Sequence, residues 1–161
     1  MKDMLTQQAA VTNISSSNRE ALVTINHIPS DSNSIALIFQ TLADHNINID
    51  MISQSAPIDR KVNISFSLQD EDLFTVLKTL KSFKADYEDL RIDINSNNVK
   101  ISLFGEGMKT TPGTAAKTME LLAQNDIDIQ LITTSEVDIS YLISASDKDK
   151  AIKCFKEYFN I

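Results

Sequence analysis

The chain contains two consecutive copies of one pattern of strands and helices, and this duplication constrains the fold more than any other feature. From residue 19 to 97, apolar positions alternate in four segments and follow a helical period in two, which gives the order β-α-β-β-α-β. The same order starts again at residue 98. Ile127 lies 80 positions after Ile47, and Ala115 lies 80 positions after Ile35, so the register is kept. A duplicated unit is the simplest explanation.

The second copy is one strand short. Its last helix, KDKAIKCFKEYF, runs almost to Ile161 and leaves no residues for a fourth strand. Near the other end of the chain, AVTNIS (residues 10–15) alternates apolar with polar residues and is followed by a serine-rich turn, SSSN, which ends the strand. Because an unpaired sheet edge promotes aggregation, we expect this N-terminal strand to complete the second copy.

The predicted fold class is therefore α+β, with two ferredoxin-like units that each have an antiparallel four-stranded sheet and two helices on one face. The first unit spans residues 19–97 and is inserted in the second, which comprises residues 10–18 and 98–161. Residues 1–9 are predicted to be a disordered tail. At the junction between the copies, DLRIDI and VKISLF are predicted as two separate strands.

Composition and charge exclude several classes of protein. The chain is 42% hydrophobic and 23% charged, as in ordinary globular proteins, and neither a membrane span nor a signal peptide is visible. We expect a cytoplasmic location. The single Cys154 rules out an internal disulfide and shares a helix face with Ala151 and Phe155, which predicts a small buried hydrophobe. The net charge of −7 argues against a nucleic-acid partner.

The stretch from Gly105 to Glu136 carries the strongest sign of a binding site. It holds all three glycines, and its loop is four residues longer than the equivalent loop of the first copy. We expect Thr111 to cap a helix that Pro112 opens, and the unsatisfied amides of a helix N-terminus attract a carboxylate. Glu136, with Asp126 and Asp128, could hold the ammonium group of the same zwitterion.

A purely structural interpretation of this stretch stays open. The glycines could serve only to let the loop turn, and Thr133, Thr134 and Ser135 could end a strand without contacting any ligand. The loop lacks the spacing of a nucleotide-binding loop. His27 and His45 lie on different elements without a partner cysteine, so no metal site is predicted. No catalytic residues can be assigned from spacing.

The two units, the second carrying NDIDIQLITTSEV after GMKTTPGTAA, resemble the paired ACT domains at the C-terminal end of aspartokinases. The resemblance covers nearly the whole chain. It implies that an amino-acid effector binds the second unit at the positions that match the lysine-sensitive members of the family. These positions are Met108, Thr111, Gly113, Thr114, Asp128, Ile129, Thr134, Ser135 and Glu136.

Two departures from the family pattern concern the effector contacts. The position after Ile129 is usually acidic in the family but is Gln130 here. The first unit has Ser30, Asp31, Ser32 and Asn33 where the family commonly has an acid-x-Pro-Gly element, so Asn33 would have to adopt the left-handed conformation. The resemblance still implies a second effector site in the first unit, with the contributing positions Asn33, Asn48, Asp50 and Gln54.

The kinase domain of the family has no counterpart in the sequence. The resemblance therefore implies a regulatory region or separate regulatory subunit of aspartate kinase, not an enzyme in itself, with ATP and magnesium belonging to the kinase domain alone. The implied function is feedback inhibition by lysine or threonine in the aspartate-family pathway. The implied partners are the free amino acid and a homodimer mate or catalytic subunit. An amino-acid sensor serving another enzyme and a ligand-free oligomerisation module are the alternatives.

Overall fold

The computed structural model describes the backbone of residues 2–161 and the side chains of residues 5–161. It divides into two compact units. The first unit consists of residues 19–97, and the second consists of residues up to 18 together with residues 98–161. The first unit is therefore inserted in the second, and the predicted fold class, two ferredoxin-like units, is confirmed.

The helices and strands of the described residues have the following bounds. They are α1 Lys2–Gln8, β1 Asn13–Pro29, α2 Ser32–Asp44, β2 Ile52–Gln54, β3 Lys61–Gln69, α3 Leu73–Asp86, β4 Arg91–Phe104, α4 Thr114–Gln124, β5 Ile129–Thr134, β6 Asp138–Ser144 and α5 Lys148–Phe159. Short 3-10 turns precede α3, α4 and α5 at Asp70–Asp72, Glu106–Thr110 and Ala145–Asp147.

The first unit has the strand order β2-β3-β1-β4 and is covered by α2 and α3. Val23 of β1 lies opposite Phe66 of β3, and both side chains are buried. Ile38 of α2 and Leu80 of α3 complete the same apolar cluster. Phe66 is thus a core residue, and it packs edge-on against Phe39 with the ring centroids 5.7 Å apart.

The second unit has the order β1-β4-β6-β5 and is covered by α4 and α5. Tyr141 of β6 is fully buried, and its ring stacks against Phe155 of α5. Burial raises the pKa of the Tyr141 hydroxyl, which bonds the Thr118 hydroxyl at 2.5 Å. Cys154 lies in the same cluster, as predicted for a small hydrophobe, and burial raises the pKa of its thiol.

The N-terminal segment supplies the strand that the second copy lacks. The Thr12 amide donates to the Phe104 carbonyl at 2.8 Å, and Val11 belongs to the apolar cluster of the second unit. Residues 2–8 form α1, whereas a disordered tail was expected over residues 1–9; Met1 lies outside the described residues. The helix is held because the Gln7 side chain bonds both Pro112 and Tyr158.

The separate strands predicted at the two junctions are wrong. β1 runs without a break through the serine-rich residues that were expected to turn, and β4 joins the predicted DLRIDI and VKISLF strands. Arg19 and Asn97 have φ angles of 61° and 63°, so the chain adjusts its direction at these residues without leaving the strand. The described helices are all too short or too polar to cross a lipid bilayer.

Candidate functional site

The second unit contains a pocket of about 500 Å³ between the glycine-containing loop, the start of α4 and the β5–β6 hairpin. A pocket of this volume can hold a free amino acid. Its lining combines hydroxyl groups, one lysine, one carboxylate and several apolar side chains. The lining residues are Met108, Lys109, Thr111, Pro112, Gly113, Thr114, Ala115, Thr134, Ser135, Glu136 and Ile139.

The loop on one side of the pocket is shaped by a close approach of the N-terminal segment. A Cβ atom at Gly105 would lie 1.8 Å from the Ala10 carbonyl oxygen, so only glycine fits beneath residues 10 and 11. After Gly105 the chain forms the 3-10 turn of residues 106–110. The Gln7 side chain then bonds the Pro112 carbonyl at 3.5 Å. The N-terminal segment therefore braces the loop that lines the pocket.

Helix α4 begins two residues later than the sequence predicted. Thr111 is extended, Pro112 precedes the helix, and Gly113 is the N-cap residue, with a left-handed φ of 89°. A left-handed residue interrupts the helical path, so the first turn starts at Thr114. No side chain caps this helix. The amide groups of its first turn thus lie beside the pocket without a capping oxygen.

The β5–β6 hairpin contributes to the pocket lining through the turn at Ser135 and Glu136. The Ser135 amide donates to the Asp138 carbonyl at 2.8 Å, and the Ser135 hydroxyl accepts from the amides of Val137 and Asp138. Ser135 therefore has a structural role in the turn as well as lining the pocket. The loop and the hairpin are joined by the Gly105 amide, which donates to the Val137 carbonyl at 2.9 Å.

The structure brings seven of the nine predicted effector residues together around this pocket. Asp128 and Ile129 are not among the lining residues. They lie at the start of β5, whereas Ser135 follows its end, and seven residues of extended chain span roughly 20 Å. Ile129 packs against the apolar cluster of its own unit.

Four lining residues were not predicted: Lys109, Pro112, Ala115 and Ile139. Pro112 and Ala115 are immediate sequence neighbours of predicted residues. A prediction that included the residues on either side of each predicted position would have contained them. Ile139 lies on β6 just after the hairpin turn and pairs with Thr134 of β5 in the sheet. Lys109 lies between the predicted residues Met108 and Thr111. Its positive charge could have identified it as a contact for a carboxylate.

The four residues predicted for a second effector site lie on three successive segments of the first unit. Asn33 lies in the first turn of α2, Asn48 and Asp50 precede β2, and Gln54 ends β2. Asn33 is helical and not left-handed, because Asp31 caps α2 and the helix starts before it. A pocket of about 530 Å³ in this unit has none of the four in its lining. It is lined by His27, Ser55, Ile58, Asp59, Lys61, Asn63 and Asp89.

The remaining polar groups do not suggest a metal centre. In the part of the chain that the structure describes, no three His, Cys, Asp or Glu side chains are arranged to hold a metal ion. The His27 ring nitrogen Nδ1 lies 3.1 Å from the Asp89 carbonyl, and Lys61 forms an ion pair with Asp89. The Lys61 hydrogen bond lowers the pKa of Asp89.

Two βαββαβ units, one with a pocket at a helix N-terminus, define a tandem ACT-type fold. The family model for the ACT domain matches residues 26–82 and 101–159, and the chain belongs to this family. Within the family it is similar to the regulatory part of aspartokinases. The regulatory subunit of aspartate kinase from Thermus thermophilus, in a ligand-free form, superposes with a TM-score of 0.83 and is 28% identical, covering 93% of this chain and 99% of that chain.

Two further comparisons point to the same enzyme. A chain from the structure of aspartokinase alpha and beta subunits is 31% identical with a TM-score of 0.83, and the match covers 94% of this chain and 100% of that chain. Aspartokinase 2 from Bacillus subtilis is 35% identical over 155 residues, which are 96% of this chain and 38% of that protein. The chain thus spans less than half the length of this relative.

Proposed function

We propose that this chain is the regulatory region of an aspartate kinase and binds free lysine or threonine in the second-unit pocket as a feedback inhibitor. The observation that carries the proposal is the pocket itself. Its lining includes an uncapped helix N-terminus and a lysine, and it also includes the Glu136 carboxylate. Such a pocket matches the separated charges of an amino acid.

The effector site is completed by a second copy of the chain. Asp128 and Ile129 match effector contacts of the family but lie at the far end of β5 from the pocket. Pairing two chains allows one chain to supply these residues to the pocket of the other. A ligand held between two chains stabilises one arrangement of the pair over others, as feedback inhibition requires, because an effector shifts an equilibrium only by its difference in affinity for the two states.

Isothermal titration of the intact protein with lysine and threonine tests the proposal. We expect Glu136→Gln to weaken binding roughly tenfold, because the effector ammonium group loses its charged partner. The circular dichroism spectrum should not change, since Glu136 is exposed in a turn. If wild-type protein binds neither amino acid, the proposal is wrong.

Ser135→Ala requires a matched control, because the Ser135 hydroxyl also holds the hairpin turn. Ser55 is the equivalent residue of the first unit, and its hydroxyl accepts from the Asn63 amide at 3.0 Å. We expect both variants to lose similar stability but Ser135→Ala alone to lose affinity. Equal affinities for the two variants would remove the Ser135 hydroxyl from the site.

A separate kinetic measurement tests whether effector binding inhibits the kinase. Aspartate phosphorylation by the kinase that carries or accompanies this chain should fall when the effector is added, and Asp128→Asn should raise the concentration needed for half inhibition. Binding without any change in aspartate phosphorylation would support the alternative, an amino-acid sensor serving another enzyme.

A further inference from the structure

The pocket has one cationic and one anionic side chain among its eleven lining residues, Lys109 and Glu136. An amino acid also carries one charge of each sign on its backbone. Glu136 can pair only with the ammonium group, so Lys109 is the charged side chain available to the carboxylate. Lys109 was absent from the residues that the family resemblance supplied, and its role must be inferred from its position.

Lys109 lies in the same segment as the helix N-terminus that forms the adjoining wall. It is the last but one residue of the 3-10 turn Glu106–Thr110, and Gly113 follows four residues later with its left-handed φ of 89°. The first-turn amides of α4 have no side-chain cap. A carboxylate at this wall can therefore accept hydrogen bonds from amides and from an ammonium group together, which are both charge-assisted contacts.

In this structure Lys109 is engaged by a neighbouring carboxylate. Its Nζ lies 2.9 Å from Glu106 Oε2, and the two side chains are 46% and 69% exposed. An ion pair this exposed contributes little to stability, so the lysine can exchange partners at small cost. An effector carboxylate can contact Lys109 and the first-turn amides of α4 at the same time. The Glu106 carboxylate does not provide the contacts with these amides.

We propose that Lys109 binds the carboxylate of the effector and that Glu106 competes with the effector for Lys109. The proposal rests on the proposed function, because it identifies a contact in the same pocket. It also fixes the orientation of the ligand: the carboxylate lies at the α4 wall, and the ammonium group lies at Glu136. Because Glu106 competes for Lys109, it raises the effector concentration that is needed for binding.

The first unit has no equivalent of this pair. The loop between Phe104 and α4 contains the residues by which the second copy is longer, and both Glu106 and Lys109 lie in it. The corresponding loop of the first unit passes from Pro29 through Ser30 directly to the Asp31 cap. A carboxylate-binding lysine at this position is thus a property of the second unit alone.

The experiment compares the free amino acids with their α-carboxamides, lysinamide and threoninamide, by isothermal titration of the intact protein. The carboxamide keeps the ammonium group and side chain but removes the negative charge. We expect Lys109→Met to lower the affinity for the free amino acid roughly tenfold and to change the affinity for the carboxamide less than about twofold. Lys109→Arg should restore most of the loss.

Glu106→Gln should change the affinity for the free amino acid in the opposite direction. Removing the competing carboxylate should raise the affinity for the free amino acid about two- to threefold and leave the carboxamide unchanged. Lys153→Met is the matched control, because Lys153 is an exposed lysine of α5 that pairs with Glu157 at 3.8 Å and does not line the pocket. Its affinities should equal those of the wild type.

Three results would overturn the inference while leaving the proposed function intact. The wild type could bind the carboxamide as tightly as the free acid, Lys109→Met could weaken both ligands equally, or Glu106→Gln could weaken the free acid. If the wild type binds none of the four ligands, the proposed function fails, and the inference fails with it.

Discussion

The first helices of the two units start in different ways although the sequence repeats in register. At α2, the Asp31 carboxylate accepts from the Ser34 amide and from the Ser34 hydroxyl, both at 2.8 Å. At α4, Gly113 takes the N-cap position and no side chain replaces that carboxylate. The N-terminus of α2 is thus capped by a side chain of the same chain. The N-terminus of α4 has no such cap and lies beside a pocket.

This difference explains why one duplicated unit can bind a ligand while the other need not. The carboxylate of Asp31 occupies the kind of position that an effector carboxylate would take at α4. The two helix starts differ at a pair of equivalent positions, which are 80 residues apart in the repeat. The residue is Asn33 in the first unit and Gly113 in the second. Asn33 is helical and lets the cap form, whereas Gly113 is left-handed and delays the helix.

The largest expected effect comes from forcing Gly113 away from its left-handed conformation. A β-branched residue is strongly disfavoured at a φ of 89°, so Gly113→Val should destabilise the protein by about 1–3 kcal/mol. Because the loop must rearrange, we expect the affinity for the effector to fall at least about a hundredfold. Thermal unfolding and isothermal titration measure the two effects.

Asn33→Val is the matched control for this substitution. Asn33 is helical and exposed, so valine there should change stability by only a few tenths of a kcal/mol, roughly, and should not affect the second-unit pocket. Similar losses in the two variants would mean that the left-handed glycine does not distinguish the two units.

An intermediate effect is expected from a polar pair in the core of the second unit. The Thr118 and Tyr141 hydroxyls bond each other, whereas the equivalent residues of the first unit are Ile38 and Phe66. Thr118→Val leaves the buried Tyr141 hydroxyl without this partner, and we expect the free energy of unfolding to fall by about 1–2 kcal/mol. Chemical denaturation provides the measurement.

Tyr141→Phe should cost less than Thr118→Val. The Thr118 hydroxyl keeps a hydrogen bond to the Ala115 carbonyl at 2.9 Å, so no donor is left without an acceptor. A loss larger in Tyr141→Phe than in Thr118→Val would show that the hydroxyl pair does not govern the stability of this core.

The smallest expected effect concerns the cap of α2 and depends on pH. Hydrogen bonds from the Ser34 amide and hydroxyl lower the pKa of Asp31 below its ordinary value. The ionised cap therefore stabilises the folded state at neutral pH, and this contribution is lost as the pH falls below about 4. Asp31→Ala should lower Tm by roughly 3–5 °C at pH 7 and by less at low pH.

Asp72→Ala is a control for the loss of an N-cap side chain within the same unit. Asp72 is the N-cap residue of α3 but makes no side-chain capping hydrogen bond. Its substitution should therefore change Tm less than that of Asp31 at neutral pH. A pH-independent loss in Asp31→Ala would show that the side chain acts through packing and not through its charge.

The order of elements could be predicted from the sequence because apolar periodicity and the repeat register agree. The repeat predicted the inserted arrangement, since the strand missing from one end of the sequence has a candidate at the other end. The junctions could not be predicted in the same way. The serines of β1 were interpreted as a turn, but pairing with neighbouring strands decides whether such residues remain extended.

The candidate site was predicted in part for a similar reason. Residues near Gly113 and Ser135 belong to a continuous stretch, and the structure brings them to one pocket. The start of α4 was misplaced because Thr111 and Pro112 form a favourable helix start, and the left-handed Gly113 overrides it. Ile139 could not be predicted without the register of the sheet, which brings β6 beside β5.

The insertion has a consequence for how the polypeptide is made. Residues 10–12 leave the ribosome before residues 19–97, yet Thr12 bonds Phe104, 92 residues later. Residues 19–97, which have their own apolar core, are synthesised in between and can fold before residues 10–12 reach their partner strand. Closing so long a loop is slow, so the pocket is assembled only after α4, β5 and β6 have emerged.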